Sequence, residues 1–310
     1  MGQDKTITIS NQKHGDILNL EKKYFTELEK IFKSEVLCES LLKIEKWTKE
    51  NYRLLNSWGK VNKVQLPCQR IINYHVMNKI QQIVGVYNSA ISADIAFETK
   101  DAIINIDSKT VSSTGNRGDF ESLFFGPNQS SFKHKKIGVS KNKDQYPGLP
   151  VIFELPSSDI LTKKPILTFF LMIKYTDVDN NFEWYSKDSE PNIRFMCIPN
   201  GDLSYLFKNE IISNPKTYAY AKKDNKNNKK VDKTHPLSYS FQNSIPIRVN
   251  TKEGFYNLNT QETWLETNIK GGKVYKQAIS THSCRIDFLT LKDRYDASGN
   301  VWEGIKSWVI

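Results

Sequence analysis

The chain has 310 residues, 38% hydrophobic and 12% aromatic, enough to bury a substantial core in one large or two modest domains and too apolar for a disordered segment. Forty-four Lys and Arg against thirty-four Asp and Glu leave a net charge of +10, which points to a polyanionic partner, with nucleic acid foremost. The longest apolar run, residues 165–173 (PILTFFLMI), falls far short of the ~20 residues that cross a bilayer, so no membrane span is expected.

The N-terminus is polar, without the apolar stretch of a signal peptide, and Cys38, Cys68, Cys197 and Cys284 stand apart without CxxC spacing. A cytoplasmic protein without structural zinc is therefore expected. Part of the Lys and Asn richness has a plainer source in an AT-rich coding genome.

From residue 16 to 55, Ile17, Leu20, Tyr24, Leu28, Ile31, Phe32, Leu41, Leu42 and Ile44 recur at helical spacing between Lys and Glu. This predicts a broken helix or helical hairpin acting as scaffold. A second helix is predicted over residues 67–87, through Ile71, Ile72, Met77, Ile80, Ile83 and Val84. The period then changes. Strands are predicted at residues 102–111, 149–155, 165–175 and 193–198, separated by Gly, Asn, Ser and Asp. Residues 207–220 are ambiguous, and 221–235 (AKKDNKNNKKVDKTH) is too polar to bury. That stretch reads as a solvated loop or, more sharply, as a segment that orders on DNA. Strand-like pieces recur at 245–250 and 284–291. Helices followed by strands suggest an α/β domain with a mixed β-sheet.

Residues 94–109 (DIAFETKDAIINIDSK) carry the chemistry. Alternation along a strand places Ile103, Asn105, Asp107 and Lys109 on one face and Ile104, Ile106 and Ser108 on the other. A carboxylate and an ammonium thus stand side by side. If the chain bends back to bring Asp94 to the same spot, two carboxylates bind a hard divalent cation through oxygen and Lys109 lies against a scissile phosphate. The plain alternative for Asp-x-Lys is a surface ion pair worth ~0–1 kcal/mol. Glu98 and Asp101 are spare carboxylates nearby. The five histidines show no HxxxH, HxH or HxxE pattern, and GxxxxGK[ST], GxGxxG and GxSxG are absent, so zinc hydrolase, nucleotide-binding and serine-hydrolase readings have no footing.

The Asp…Asp-x-Lys pattern resembles the PD-(D/E)xK nuclease superfamily, and the text around it is similar to the BglI-type type II restriction endonucleases. The likeness runs in order through Gly59-Lys60, Gln65-Leu66-Pro67, the acidic segment into Ile106-Asp107-Ser108-Lys109, then Gly126-Pro127-Asn128-Gln129, residues 149–150, 165–175 and Ile198-Pro199-Asn200-Gly201. It is sparser in the first 55 and last 50 residues. Ala93 stands where the motif has proline, a position that ligates nothing.

The resemblance implies a restriction-endonuclease-like core over residues 59–215, preceded by a helical region at 1–58 and followed by a DNA-recognition and C-terminal region at 216–310, all in one domain. It makes Asp94 and Asp107 metal-binding carboxylates, Lys109 the catalytic lysine, and the backbone carbonyl of Ser108 a third ligand to Mg²⁺. For base recognition it points to Lys222, Asp224 and Arg248, pairings that suit guanine and cytosine, although Pro246 stands where a base-contacting arginine would align. The implied protein is a homodimer that cuts double-stranded DNA at a palindromic or interrupted palindromic site. A methyltransferase acting on that site would be its companion. Three other readings stay open on the residues alone: a structure-specific repair or junction nuclease on the same core, a DNA-binding protein that does not cut, and a structural or carbohydrate-binding protein without affinity for DNA.

Overall fold

Apolar residues recurring every three or four positions fold the N-terminal segment into α1 (Gln12–Phe32), which buries Ile17, Leu18, Tyr24, Phe25, Leu28, Ile31 and Phe32. The computed structural model describes residues 12–57, 64–87, 93–112, 123–125, 129–132, 155–178, 181–184, 190–207, 212–213, 218–221, 246–248, 254–257, 262–269, 272–278, 284–286 and 288–310. After α1 comes α2 (Glu35–Glu50), started by Ser34, whose hydroxyl accepts from the amide of Leu37. Two further helices follow, α3 (Tyr52–Ser57) and α4 (Gln65–Lys79). Pro67 sits in the first turn of α4, where the backbone amides have no helical partner to lose. The hairpin expected over residues 16–55 is thus α1 to α3.

The predicted helix 67–87 ends early. Ile80 turns extended, and β1 (Gly85–Val86) pairs antiparallel with β2 (Ile95–Glu98), Gly85 opposite Glu98. Ile83 and Val84 keep the helical period, but they are β-branched and lie next to a glycine, so extended backbone pairing wins.

The remaining strands are β3 (Ile103–Ser112), β4 (Phe124–Phe125), β5 (Ile166–Val178), β6 (Asn181–Trp184) and β7 (Ile193–Ile198). They are followed by β8 (Ile212–Ser213), β9 (Tyr218–Ala221), β10 (Pro246–Arg248), β11 (Gly254–Asn257), β12 (Glu262–Ile269), β13 (Gly272–Ala278) and β14 (Cys284–Ile286). A short helix α5 (Phe288–Lys292) precedes β15 (Asp293–Tyr295), β16 (Val301–Glu303) and β17 (Ile305–Trp308).

Among the described residues the main sheet has seven strands in the order β1-β2-β3-β5-β7-β17, with β6 on β5. Only β3 and β5 run parallel in it. This is the mixed sheet of an α/β fold. Its central parallel pair is covered on both faces, which explains why β5 reads as a continuous apolar run. A second, antiparallel sheet has the order β10-β9-β13-β12-β11, and β4-β14-β8 form a third. The expected strands at 102–111, 165–175, 193–198 and 245–250 appear as β3, β5, β7 and β10. Residues 284–291 split into β14 and most of α5. Residues 149–154 and 222–235 lie outside the described residues, and Leu155 is buried but outside any strand.

The helices cover one face of the main sheet. Phe25 of α1 stacks on Phe195 of β7 with ring centroids 4.6 Å apart, and Phe195 stacks in turn on Phe169 at 5.9 Å. Trp184 donates its indole N–H to the carbonyl of Leu41 at 2.7 Å, tying α2 to β6. Alternation sends Phe170 to the other face, where Phe125 meets it at 5.5 Å. There Ser131 also donates its amide to the Thr168 hydroxyl at 3.1 Å.

The C-terminal hairpin is tied to α1 by a fully buried ion pair, Arg294 with Glu21. Glu21 also accepts the Asn200 amide at 2.7 Å, and Arg294 donates to the Cys197 carbonyl at 2.8 Å. Burial pushes the Glu21 carboxyl up while the guanidinium pulls it down. The Asn200 side chain braces the carbonyls of Ser157 and Ile166 at 2.7 and 2.9 Å. A Cβ at Gly304 would fall 2.6 Å from the Leu291 carbonyl, so the crossing beside Arg294 admits only glycine.

Candidate active site

The antiparallel register of β2 on β3, Ile95 opposite Ile106, carries Asp94 to the level of Asp107. β2 has already ended there. The Ser108 amide points toward the β2 side and would lack a partner, but Asp94 fills the gap. Its Oδ2 accepts from Ser108 N at 2.7 Å and from Ser108 Oγ at 2.8 Å. Its Oδ1 accepts from Gln69 Nε2 on α4 at 2.6 Å. The turn of chain that the sequence left conditional therefore exists, and Asp94 comes to Asp107.

Asp107 is 3% exposed. Its Oδ1 accepts from Gln129 Nε2 at 3.1 Å, and its Oδ2 lies 2.7 Å from Lys109 Nζ. That oxygen has no donor aligned for a hydrogen bond. Burial raises the Asp107 carboxyl from 3.8 to about 6, against the opposing pull of Lys109, with the neighbouring Asp94 charge adding to the rise. A buried carboxylate, short of donors and beside a second carboxylate, is under-compensated for its charge.

These residues fit a hard divalent cation. Residue 108 directs its C=O to the same side as its N–H, past the end of β2 and toward Asp94. Two carboxylates and a carbonyl make an all-oxygen donor set. Cys68 of α4 adds no soft ligand, because burial, with help from the Asp94 charge, pushes its thiol up to about 12. Among the described residues no three His, Cys, Asp or Glu side chains gather at one point, so the backbone oxygen matters.

The spare carboxylates do not join the site. Glu98 pairs with Lys164 at the far end of β2, and Asp101 pairs with Lys23 at 2.8 Å and bonds Tyr24 and Thr99. Lys222 and Asp224 lie outside the described residues. Arg248 ends β10, opposite Tyr218 in the second sheet.

Gln69 and Gln129 escaped the sequence reading as site residues. Gln129 closes the Gly126-Pro127-Asn128-Gln129 stretch that carries part of the family resemblance, while Gln69 carries no local signal, since only the docking of α4 on β3 brings it to Asp94.

Asp94 just ahead of β2, with Asp107 and Lys109 on β3, is a set of groups that could support metal-assisted hydrolysis. The family defined by the N-terminal domain of the type II restriction enzyme MwoI matches residues 14–180. The chain belongs to this family of restriction endonucleases and is a DNA-cleaving hydrolase. Among solved structures it is similar to the restriction endonuclease BglI bound to its DNA recognition sequence, with 16% identity over 76% of this chain and 87% of that one and a TM-score of 0.41. It is also similar to the tetrameric restriction endonuclease SfiI bound to cognate DNA, with 12% identity over 89% and 97% and a TM-score of 0.38. No curated protein matches the chain. No helix of the described residues is long and apolar enough to cross a membrane.

Proposed function

We propose that this protein is a Mg²⁺-dependent type II endonuclease that makes double-strand cuts at a palindromic or interrupted palindromic site with G·C-containing half-sites. The observation that carries this reading is the meeting of Asp94, Asp107 and Lys109 at the end of β2, with the Lys109 ammonium 2.7 Å from Asp107. Held by Asp94, Asp107 and the carbonyl of Ser108, Mg²⁺ supplies Lewis acidity for in-line attack of water on phosphorus.

The chain's own groups do the rest. Asp94 is fixed by three donors and Asp107 by the rigid centre of the sheet, so neither has to reorganise when the site is filled. The Lys109 ammonium, partly exposed beside Asp107, orients the attacking water and neutralises charge growing on the phosphoryl oxygens. The protein's net charge of +10 draws in the duplex and makes binding dependent on salt. Recognition belongs to residues 216–310, with Lys222 and Arg248 donating to guanine and Asp224 accepting from cytosine N4. Two strands need two such sites, hence a homodimer on a two-fold target, and a companion methyltransferase protects the host's own copies.

The test is digestion of unmethylated genomic DNA with Mg²⁺ or with EDTA, beside Asp107→Ala. Discrete Mg²⁺-dependent bands, absent for the variant, are expected, and their ends give the site. A smear would replace sequence specificity with structure-specific or nonspecific cutting, and intact DNA would leave binding alone.

A further inference from the structure

Asp94 is the more exposed of the two acidic residues, yet it is the more completely bonded. A carboxylate offers about four acceptor positions. Three are taken: two on Oδ2 by the amide and hydroxyl of Ser108, at 2.7 and 2.8 Å, and one on Oδ1 by Gln69 Nε2, at 2.6 Å. Because a carboxylate only accepts, the Gln69 amide must present its NH₂ to Asp94 and turn its carbonyl oxygen away. Ser108 alone would leave the carboxyl plane free to swing about Oδ2. Gln69 reaches the other oxygen from a separate element, α4, and stops that rotation.

We propose that Gln69 is a positioning residue of the active site, locking the carboxylate of Asp94 so that the single remaining acceptor position, on Oδ1, is presented to the divalent cation. This rests on the metal-dependent reading above. Ser108 then has two parts, holding Asp94 through its amide and hydroxyl while its carbonyl faces the same space. Gln69 also keeps the site at two carboxylates, since a glutamate in its place would set a third acid against Asp94. Partners that orient metal ligands typically contribute 10–100-fold to metal affinity.

Gln69→Met removes the donor while keeping the length and volume of the side chain. Isothermal titration of the intact, DNA-free protein with Mn²⁺ reads the effect without turnover. The expected result is Mn²⁺ binding about tenfold or more weaker than in the wild type, with the melting temperature in EDTA changed little. In cleavage assays the half-saturating metal concentration rises by a similar factor, while the rate at saturating metal stays within a few-fold.

An unchanged Mn²⁺ isotherm for Gln69→Met overturns the assignment and leaves the nuclease reading intact. So does a fall in saturated rate at unchanged metal affinity. Absence of Mn²⁺ binding by the wild-type protein, alone or with DNA, overturns the metal-dependent reading and this assignment with it.

Discussion

Asp107→Asn should make the metal-free protein more stable while destroying its activity. The carboxyl is 3% exposed, and burial is the main reason its proton leaves near pH 6 instead of 3.8. Between about 6 and the ordinary value the folded state holds the proton more tightly than the unfolded chain. Stability therefore falls as pH rises through that window, and the full penalty stands above it. The displacement corresponds to ~3 kcal/mol at pH 8. An asparagine carries no charge to desolvate, and its carbonyl still accepts from Gln129. The pull of Lys109 is already contained in that displacement, so losing the ion pair is no further deduction. The gain is ~3 kcal/mol, or a melting temperature about 4 °C higher. The assay is thermal or urea unfolding of both proteins in EDTA from pH 5 to 8. The variant's advantage should be present at pH 8 and shrink toward pH 5. A variant no more stable than wild type at pH 8, or an advantage independent of pH, would refute the reasoning.

Lys109→Ala should abolish cleavage and leave Kd for cognate DNA in Ca²⁺ within a few-fold, and measurable turnover by that variant would remove Lys109 from the chemistry. Arg294→Met strands a buried carboxylate at Glu21 and should cost ~3–5 kcal/mol in urea unfolding, while the double change Glu21→Leu with Arg294→Met recovers most of it. A double variant as weak as the single one would contradict this account. Asp296 is held down at about 2, led by the Lys22 ammonium 2.9 Å away. Its folded value is depressed, so the stability it provides is full above pH 4 and disappears as pH falls through about 2. The stability gap between wild type and Lys22→Met should close over that range, and a gap that persists at pH 2 would rule the pair out.

What the sequence disclosed and what it hid divide by distance along the chain. β3 was legible because alternation is local, and it set Asp107 beside Lys109 as the structure has them. Alternation also put Ser108 on the opposite face from Asp107, yet Ser108 holds Asp94 through its backbone amide as well as its hydroxyl, and no pattern of side chains encodes the part of the amide. The helix expected to reach residue 87 stops at Lys79, because Ile83 and Val84 satisfy a helical period and an edge strand equally well. Gln69 is 25 residues from Asp94 and Arg294 is 273 from Glu21. Such partners are selected by packing, and neither amide nor guanidinium leaves a trace in its own neighbourhood.

The pairing of β17 with β7, and of Arg294 with Glu21, also places a delay on the birth of the enzyme. Asp94, Asp107 and Lys109 leave the ribosome early, but the sheet that carries them lacks its last strand until Trp308 has been made. Glu21 has no countercharge to be buried with until Arg294 emerges. At roughly 5–20 residues per second, translation needs about 10–40 s to cover that interval. A nascent chain short of β17 therefore holds Asp94, Asp107 and Lys109 on an unfinished scaffold.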